Sequence, residues 1–309
     1  RKALRVMAGG ALVGVTSGCG DDEPPSVSSW RMPAEEVPHA ATWMCFPSSS
    51  DVWGSDLSNV QSSIADIAIA IAAFEPVRML VRPAAQSIAL ELMGADVELI
   101  DGPVDDLWAR DTLPLFLVDS SSTGALAAGR VRFNGWGGKQ IHSGDEQLTA
   151  HVAAMLGIDV IELGVTGEGG GIEIDGHGTL LAARSSWINQ NRNPDLNERD
   201  ITTALTEGLG AVRLLWVDGI AGEDITDGHI DTLARFVDAE TVIHEYPPYV
   251  EPGETWYDVA VATHRALERF TRLDGSPYRL VQLTQPTTTR AVGDQFLSSY
   301  VNYYVCNQA

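Results

Sequence analysis

Between residues 57 and 74 apolar side chains recur every three or four positions (Val60, Ile64, Ile67, Ile71, Phe74), and Pro76 ends the run. That period predicts a helix with one buried face. The short apolar run at residues 77–81 predicts a strand. Residues 115–118 and 125–133 predict a pair of strands joined across the Ser- and Gly-rich turn 120–124. A helix over 145–156 and a strand over 160–163 follow. Residues 172–175 and 179–183 predict a hairpin through Gly176-His177-Gly178. The pattern continues with a helix over 199–209 and strands over 212–217, 230–237 and 241–245. A helix over 256–270 comes next, then strands over 278–283 and 299–306.

The order of elements repeats. A polar cluster opens a strand, a second strand returns, a helix crosses, and a further strand leads to the next cluster. The clusters sit near His39, Asp111, Glu168, His229 and Asn302, 57 to 73 residues apart. Five such units predict a propeller-like α/β domain with one central site. A doubly wound sheet is the alternative that strand–helix alternation alone allows.

The N-terminal segment reads differently. Arg1, Lys2 and Arg5 precede an apolar run over 6–15, and small residues lead to Cys19. This predicts a lipoprotein-type signal at 1–19 with Cys19 as the lipid-bearing residue, a flexible tether at 20–29, and a folded domain at 30–309. The apolar run is too short to span a bilayer. The expected location is the bacterial cell envelope, with membrane contact only through the lipid. A short buried helix at the same place would instead leave the protein cytoplasmic.

Composition narrows the function. The chain has 309 residues, 44% of them hydrophobic, with 42 acidic against 20 basic side chains and a net charge of −22. It can bury a full core, and it lacks the basic balance that nucleic acids or anionic membranes require. Its surface charge is explained by habitat or genome composition, or by attraction of a cationic substrate. Three cysteines, Cys19, Cys45 and Cys306, make neither a disulfide framework nor a four-cysteine zinc site, and no CxxC or HExxH spacing occurs. No metal is expected.

Three polar motifs carry candidate chemistry. Asp105-Asp106-Leu107-Trp108-Ala109-Arg110-Asp111 places a large ring inside an acidic run, unlike an ordinary solvated loop. Gly167-Glu168-Gly169-Gly170-Gly171 lacks dinucleotide or Walker spacing; its glycines suggest close backbone approach, or merely a hairpin turn. Asp227-Gly228-His229-Ile230-Asp231 opens an apolar segment read as a strand. His229 and Asp231 would then share a face, with Ile230 in the core. The combination of Asp111, Glu168, Asp231, His229 and Trp108 suits a planar guanidinium, whose N–H donors match paired carboxylates and whose charge stacks on an indole.

These motifs resemble the agmatine deiminase family, which is related to bacterial peptidylarginine deiminases. The resemblance runs through Met32-Pro33-Ala34-Glu35, Trp108-Ala109-Arg110-Asp111, Phe133-Asn134-Gly135-Trp136-Gly137-Gly138-Lys139 and Glu168-Gly169-Gly170. It continues through Asn191-Arg192-Asn193-Pro194, Gly228-His229-Ile230-Asp231 and Ser299-Tyr300-Val301-Asn302. It implies the pentein fold, a five-bladed α/β propeller of ββαβ-type repeats, here with the last blade incomplete. It also implies hydrolysis of a guanidino group to a ureido group through a covalent cysteine intermediate, without a cofactor. Asp111 and Asp231 would hold the guanidinium nitrogens, His229 would act as acid and base, and Glu168 would complete the acidic pocket. Trp108 would line it, with Asn302 nearby. The family's nucleophile lies in a Gly-Gly-Gly-x-x-His-Cys motif that these 309 residues do not contain, and neither Cys45 nor Cys306 matches its position. The chain is therefore expected to be a fragment, inactive alone. Agmatine is the leading substrate; a peptidylarginine deiminase outside the cytoplasm and a non-catalytic binder of guanidino ligands are the alternatives. Homo-oligomers are possible on the same resemblance.

Overall fold

The computed structural model describes residues 29–120, 124–247, 253, 255–285 and 299–307. The expected signal, Cys19 and all of the tether except Ser29 lie outside the described residues. Among the described residues thirteen strands occur in order: β1 (Trp30–Arg31), β2 (Thr42–Cys45), β3 (Val77–Val81), β4 (Glu98–Asp101), β5 (Leu115–Asp119), β6 (Leu126–Arg132), β7 (Asp159–Thr166), β8 (Ile172–Ile174), β9 (Thr179–Ala183), β10 (Arg213–Val217), β11 (Ala234–Phe236), β12 (Thr241–Tyr246) and β13 (Arg279–Thr284). Among the described residues they form four sheets, so the chain is a mixed α/β structure of several small sheets rather than one doubly wound sheet.

Three sheets share one construction. β5 and β6 pair antiparallel, the helix Leu148–Leu156 crosses over, and β7 returns parallel to β6. β8, β9, the helix Glu198–Leu209 and β10 repeat this, and so do β11, β12, the helix Thr255–Leu267 and β13. This is the expected ββαβ unit. The sheet β2–β3–β4 is all parallel, with the helices Leu57–Ala72 and Gln86–Met93 as its crossovers.

Local chemistry accounts for the element ends. Asn197 caps the helix Glu198–Leu209 in a capping box with Asp200, and Gly210 closes it at φ 65°. Ile201, Leu205 and Leu209 form its buried stripe. The helix Leu57–Ala72 buries Gln61, Ala65, Ala68 and Ile71, while Ile67 and Phe74 are exposed. Its inward face is thus rotated from the one expected, because alanines allow close approach to β3.

The strand expected over 230–237 forms only at Ala234–Phe236, and the one expected over 299–306 is not formed among the described residues. Residues 230–232 make a single 3-10 turn before β11, and residues 299–307 contain no strand. The latter segment is held by side chains instead. Glu75, with its side chain fully buried, accepts from Thr42 Oγ1, from Tyr304 Oη at 2.8 Å and from the Asn307 backbone at 2.7 Å.

The largest apolar cluster lies between the sheets of β5–β7 and β8–β10, with Leu117, Leu180, Ile201 and Leu205 fully buried. Truncating Leu180 to alanine there is expected to cost about 3 kcal/mol of unfolding free energy, read from the midpoint of urea denaturation.

Candidate active site

The site is built where three chain turns meet. The first is the short helix Ala109–Thr112 after Trp108, which buries Asp111. The second is the 3-10 turn Gly169–Gly171 after Glu168. The third is the turn Ile230–Thr232 after His229. His229 and Asp231 converge through this turn and not through a strand, with Ile230 fully buried behind them.

Gly170 marks the centre. A Cβ there would lie 2.6 Å from Asp111 Oδ1, 2.7 Å from Asp231 Oδ2 and 2.7 Å from His229 Nδ1. The three groups thus pack directly against the Gly170 backbone, and any side chain there would clash with them. The Gly170 N–H donates to Asp111 Oδ1 at 2.9 Å. The neighbouring glycines have a different purpose: Gly169 lies against the Arg110 carbonyl, and Gly167 and Gly171 lie under the Trp187 ring. The glycine run is therefore a close-packing device, with one member forming the floor of the site.

The carboxylates differ in what they hold. Asp111 Oδ2 accepts the Trp136 indole N–H at 2.9 Å, and its Oδ1 stands 3.7 Å from His229 Nδ1. Glu168 accepts from Arg192 Nε at 2.9 Å on both oxygens, and its Oε2 is 3.2 Å from His229 Nε2. Among the described residues no hydrogen-bond donor reaches the Asp231 carboxylate. Glu168 thus serves the histidine and does not open the acidic pocket further, while Asp231 and Asp111 keep acceptor capacity.

Charge follows from this arrangement. Burial opposes the imidazolium, yet Asp111, the Glu168 hydrogen bond and Asp231 outweigh it, and His229 is pushed up to about 9. Burial raises Asp231, reinforced by Asp111 and opposed by His229, Arg110 and Arg235, to about 6. Arg110 pairs with Glu35, and Arg235 bridges Glu35 and Glu173, so a row of alternating charges, buried at its Arg235–Glu173 end, lies beside the site.

Trp108 is 43% exposed, with its indole N–H on Asp106 Oδ2 at 3.1 Å. Its ring meets Trp136 edge to face at 6.3 Å. A cavity of about 430 Å³ lies beside it, lined in part by Trp43, Ile71, Trp108 and Gly169. Asn302 is exposed, and no described contact joins it to His229; its segment lacks the strand that would aim it. His39 likewise pairs elsewhere, with Glu75 at 3.2 Å.

Neither described cysteine is poised for attack. Cys45 is buried, and burial with nearby Asp145 pushes its thiol well up. Burial also raises Cys306, which packs on the core of the β2–β4 sheet. Sequence reasoning assigned no role to Trp136 and Arg192, which stood only inside motifs. Their signal was a large or charged residue within a polar loop, which is ambiguous before the fold is known.

Three carboxylates gather around one buried imidazole, with the Trp136 indole bonded to Asp111, in a mixed α/β fold. Residues 31–309 match the Porphyromonas-type peptidyl-arginine deiminase family, to which the chain belongs. A Legionella pneumophila (strain Paris) protein named "Putative agmatine deiminase" is 32% identical over 92% of this chain and 82% of its own. A Streptomyces avermitilis protein of the same name is 31% identical over 92% and 84%. Among solved structures, a "putative peptidyl-arginine deiminase" superposes with a TM-score of 0.82 at 31% identity, covering 91% of this chain and 84% of that one. The agmatine deiminase of Enterococcus faecalis shares the fold, with a TM-score of 0.83 at 24% identity over 90% and 82%.

If a cation such as guanidinium binds at Asp231, the carboxyl must be ionised. Affinity for guanidinium is therefore expected to hold above pH 6 and to fall about tenfold per unit below it, measured by calorimetry across pH 4.5–7.5.

Proposed function

We propose that the site binds a guanidino group and hydrolyses it to a ureido group with release of ammonia, agmatine being the substrate. The convergence of Asp111, Asp231 and His229 on Gly170 carries this reading. The names of the relatives support it. So does the solved agmatine deiminase of C. jejuni with substrate bound, which has a TM-score of 0.79 at 24% identity and covers 91% of this chain and 81% of that one.

In this reading Asp111 and Asp231 hold guanidinium N–H groups and orient the central carbon. A cysteine thiolate forms a C–S bond to that carbon. The C–N bond then breaks, and ammonia leaves with a proton from His229. Water adds to the carbon, His229 takes its proton, and the C–S bond breaks to give the ureido product. A histidine charged up to about pH 9 suits the first proton transfer. The nucleophile is assigned to the Gly-Gly-Gly-x-x-His-Cys motif of the family, which the 309 residues do not contain.

Two assays test this. The 309-residue chain is expected to bind agmatine without turnover. Protein carrying the motif downstream is expected to release ammonia from it, with a loss of about 10²-fold or more in His229→Asn. Ammonia from an arginine-containing peptide but not from agmatine would overturn the substrate assignment and leave the site assignment standing. We also propose anchoring through lipid on Cys19; release of the protein from the membrane fraction by Cys19→Ser checks it.

A further inference from the structure

Glu168 is held from behind by a row of charges that is buried except at its outer end. The Arg192 side chain is fully buried, and it donates to four partners. Nε reaches both Glu168 oxygens at 2.9 Å. Nη1 reaches Asn191 Oδ1 at 3.0 Å and Asp227 Oδ2 at 2.7 Å, and Nη2 reaches the Thr226 carbonyl at 3.0 Å. Asp227 in turn accepts from Lys139 Nζ at 2.8 Å, Asn191 Nδ2 at 3.0 Å and the Gly222 N–H at 2.9 Å. Its φ of 63° is one that a residue with a side chain seldom adopts without such restraint. Lys139 also donates to the Ile225 carbonyl at 3.0 Å, tying the loop after β6 to the loop before His229. The signs alternate along the row: Lys139, Asp227, Arg192, Glu168, and then His229.

We propose that Lys139, Asp227 and Arg192 are positioning residues that pin Glu168 against Nε2 of His229, leaving Nδ1 as the nitrogen that exchanges protons with the reacting group. This deepens the acid–base reading of His229 and rests on it. The geometry separates the two nitrogens. Nε2 lies 3.2 Å from Glu168, whose carboxylate cannot turn away without leaving Arg192. Nδ1 lies 3.7 Å from Asp111, beyond a hydrogen bond, and packs against Gly170 on the side where Asp111 and Asp231 converge. Sequence position gives no hint of this, since Lys139, Arg192 and Asp227 come from three separate loops.

The alternating row makes a prediction about sign. The groups facing His229 are Asp111, Glu168 and Asp231, with Arg192 behind Glu168. Asp227 stays anionic at working pH, because Lys139, Asn191 and Arg192 overcome its burial and hold it at about 2. Removing that negative charge lowers the proton affinity of His229; removing the Lys139 positive charge raises it. If the row were packing alone, either change would let water in, and His229 would drift down toward its ordinary value in both variants.

Histidine ¹⁵N NMR on the 309-residue chain reads this without turnover, so a failed ammonia assay and a failed row remain separate results. In the unaltered chain the His229 midpoint is expected near 9, and above it the remaining proton stays on Nε2. Asp227→Asn is expected to lower the midpoint by about half a unit or more, and Lys139→Met to raise it by about 0.3 unit. Shifts in the same direction, an unmoved midpoint in both, or a remaining proton on Nδ1 overturns the proposal. Should Asp227→Asn not fold, Lys139→Met decides alone, its side chain being 33% exposed. An upward shift supports the row, and no shift or a downward one overturns it.

Discussion

The structure depends on keeping several carboxylates close together without protonating them all. Asp111, Glu168 and Asp231 surround His229 in a space from which water is nearly excluded. Unaided, like charges at this range would repel strongly in a poorly screening interior. The chain resolves this in three ways. It charges the imidazole, and it gives Glu168 a buried guanidinium of its own in Arg192. It also satisfies Asp111 with an indole and a backbone N–H. Asp231 has its proton affinity raised first by burial and then by the neighbouring Asp111 charge.

The fold supplies the means. Each ββαβ unit brings one turn to the centre, and the turns carry Asp111, Glu168 and His229 from three successive places in the chain. Close approach then needs glycine at Gly170 and flat packing of Trp187 beneath Gly167 and Gly171. The Trp136 backbone sits at φ 54° inside a glycine-rich loop, which sets its indole on Asp111. Asp106 performs the same service for Trp108, and it also accepts Trp53 Nε1 at 2.7 Å and Gln140 Nε2 at 2.9 Å. Clamping by hydrogen bonds thus replaces regular structure where the chemistry lies.

Much of this is legible in the sequence. The boundaries of β3 and β9 and the end of the helix Glu198–Leu209 follow from the periodic pattern, because that signal is local. Asp111, Glu168, His229 and Asp231 stand out through recurrence of polar clusters at similar spacing. The path of residues 230–232 is not legible, since an apolar residue between two polar ones fits a strand or a tight turn equally well. The segment 299–307 has strand composition but is held through Glu75 and Arg235 by side chains distant in sequence. Arg192 is hidden for the same reason: its partners Glu168 and Asp227 become neighbours only once the loops are placed.

The central claim is that a guanidinium occupies the space between Asp111 and Asp231, beside His229. A crystal of the chain soaked in agmatine tests it most directly. The guanidinium is expected to bridge these two carboxylates above Gly170, with Glu168 still paired to Arg192. A ligand seated on Glu168 with Arg192 displaced, or a pocket empty at saturating agmatine above pH 7, would contradict it.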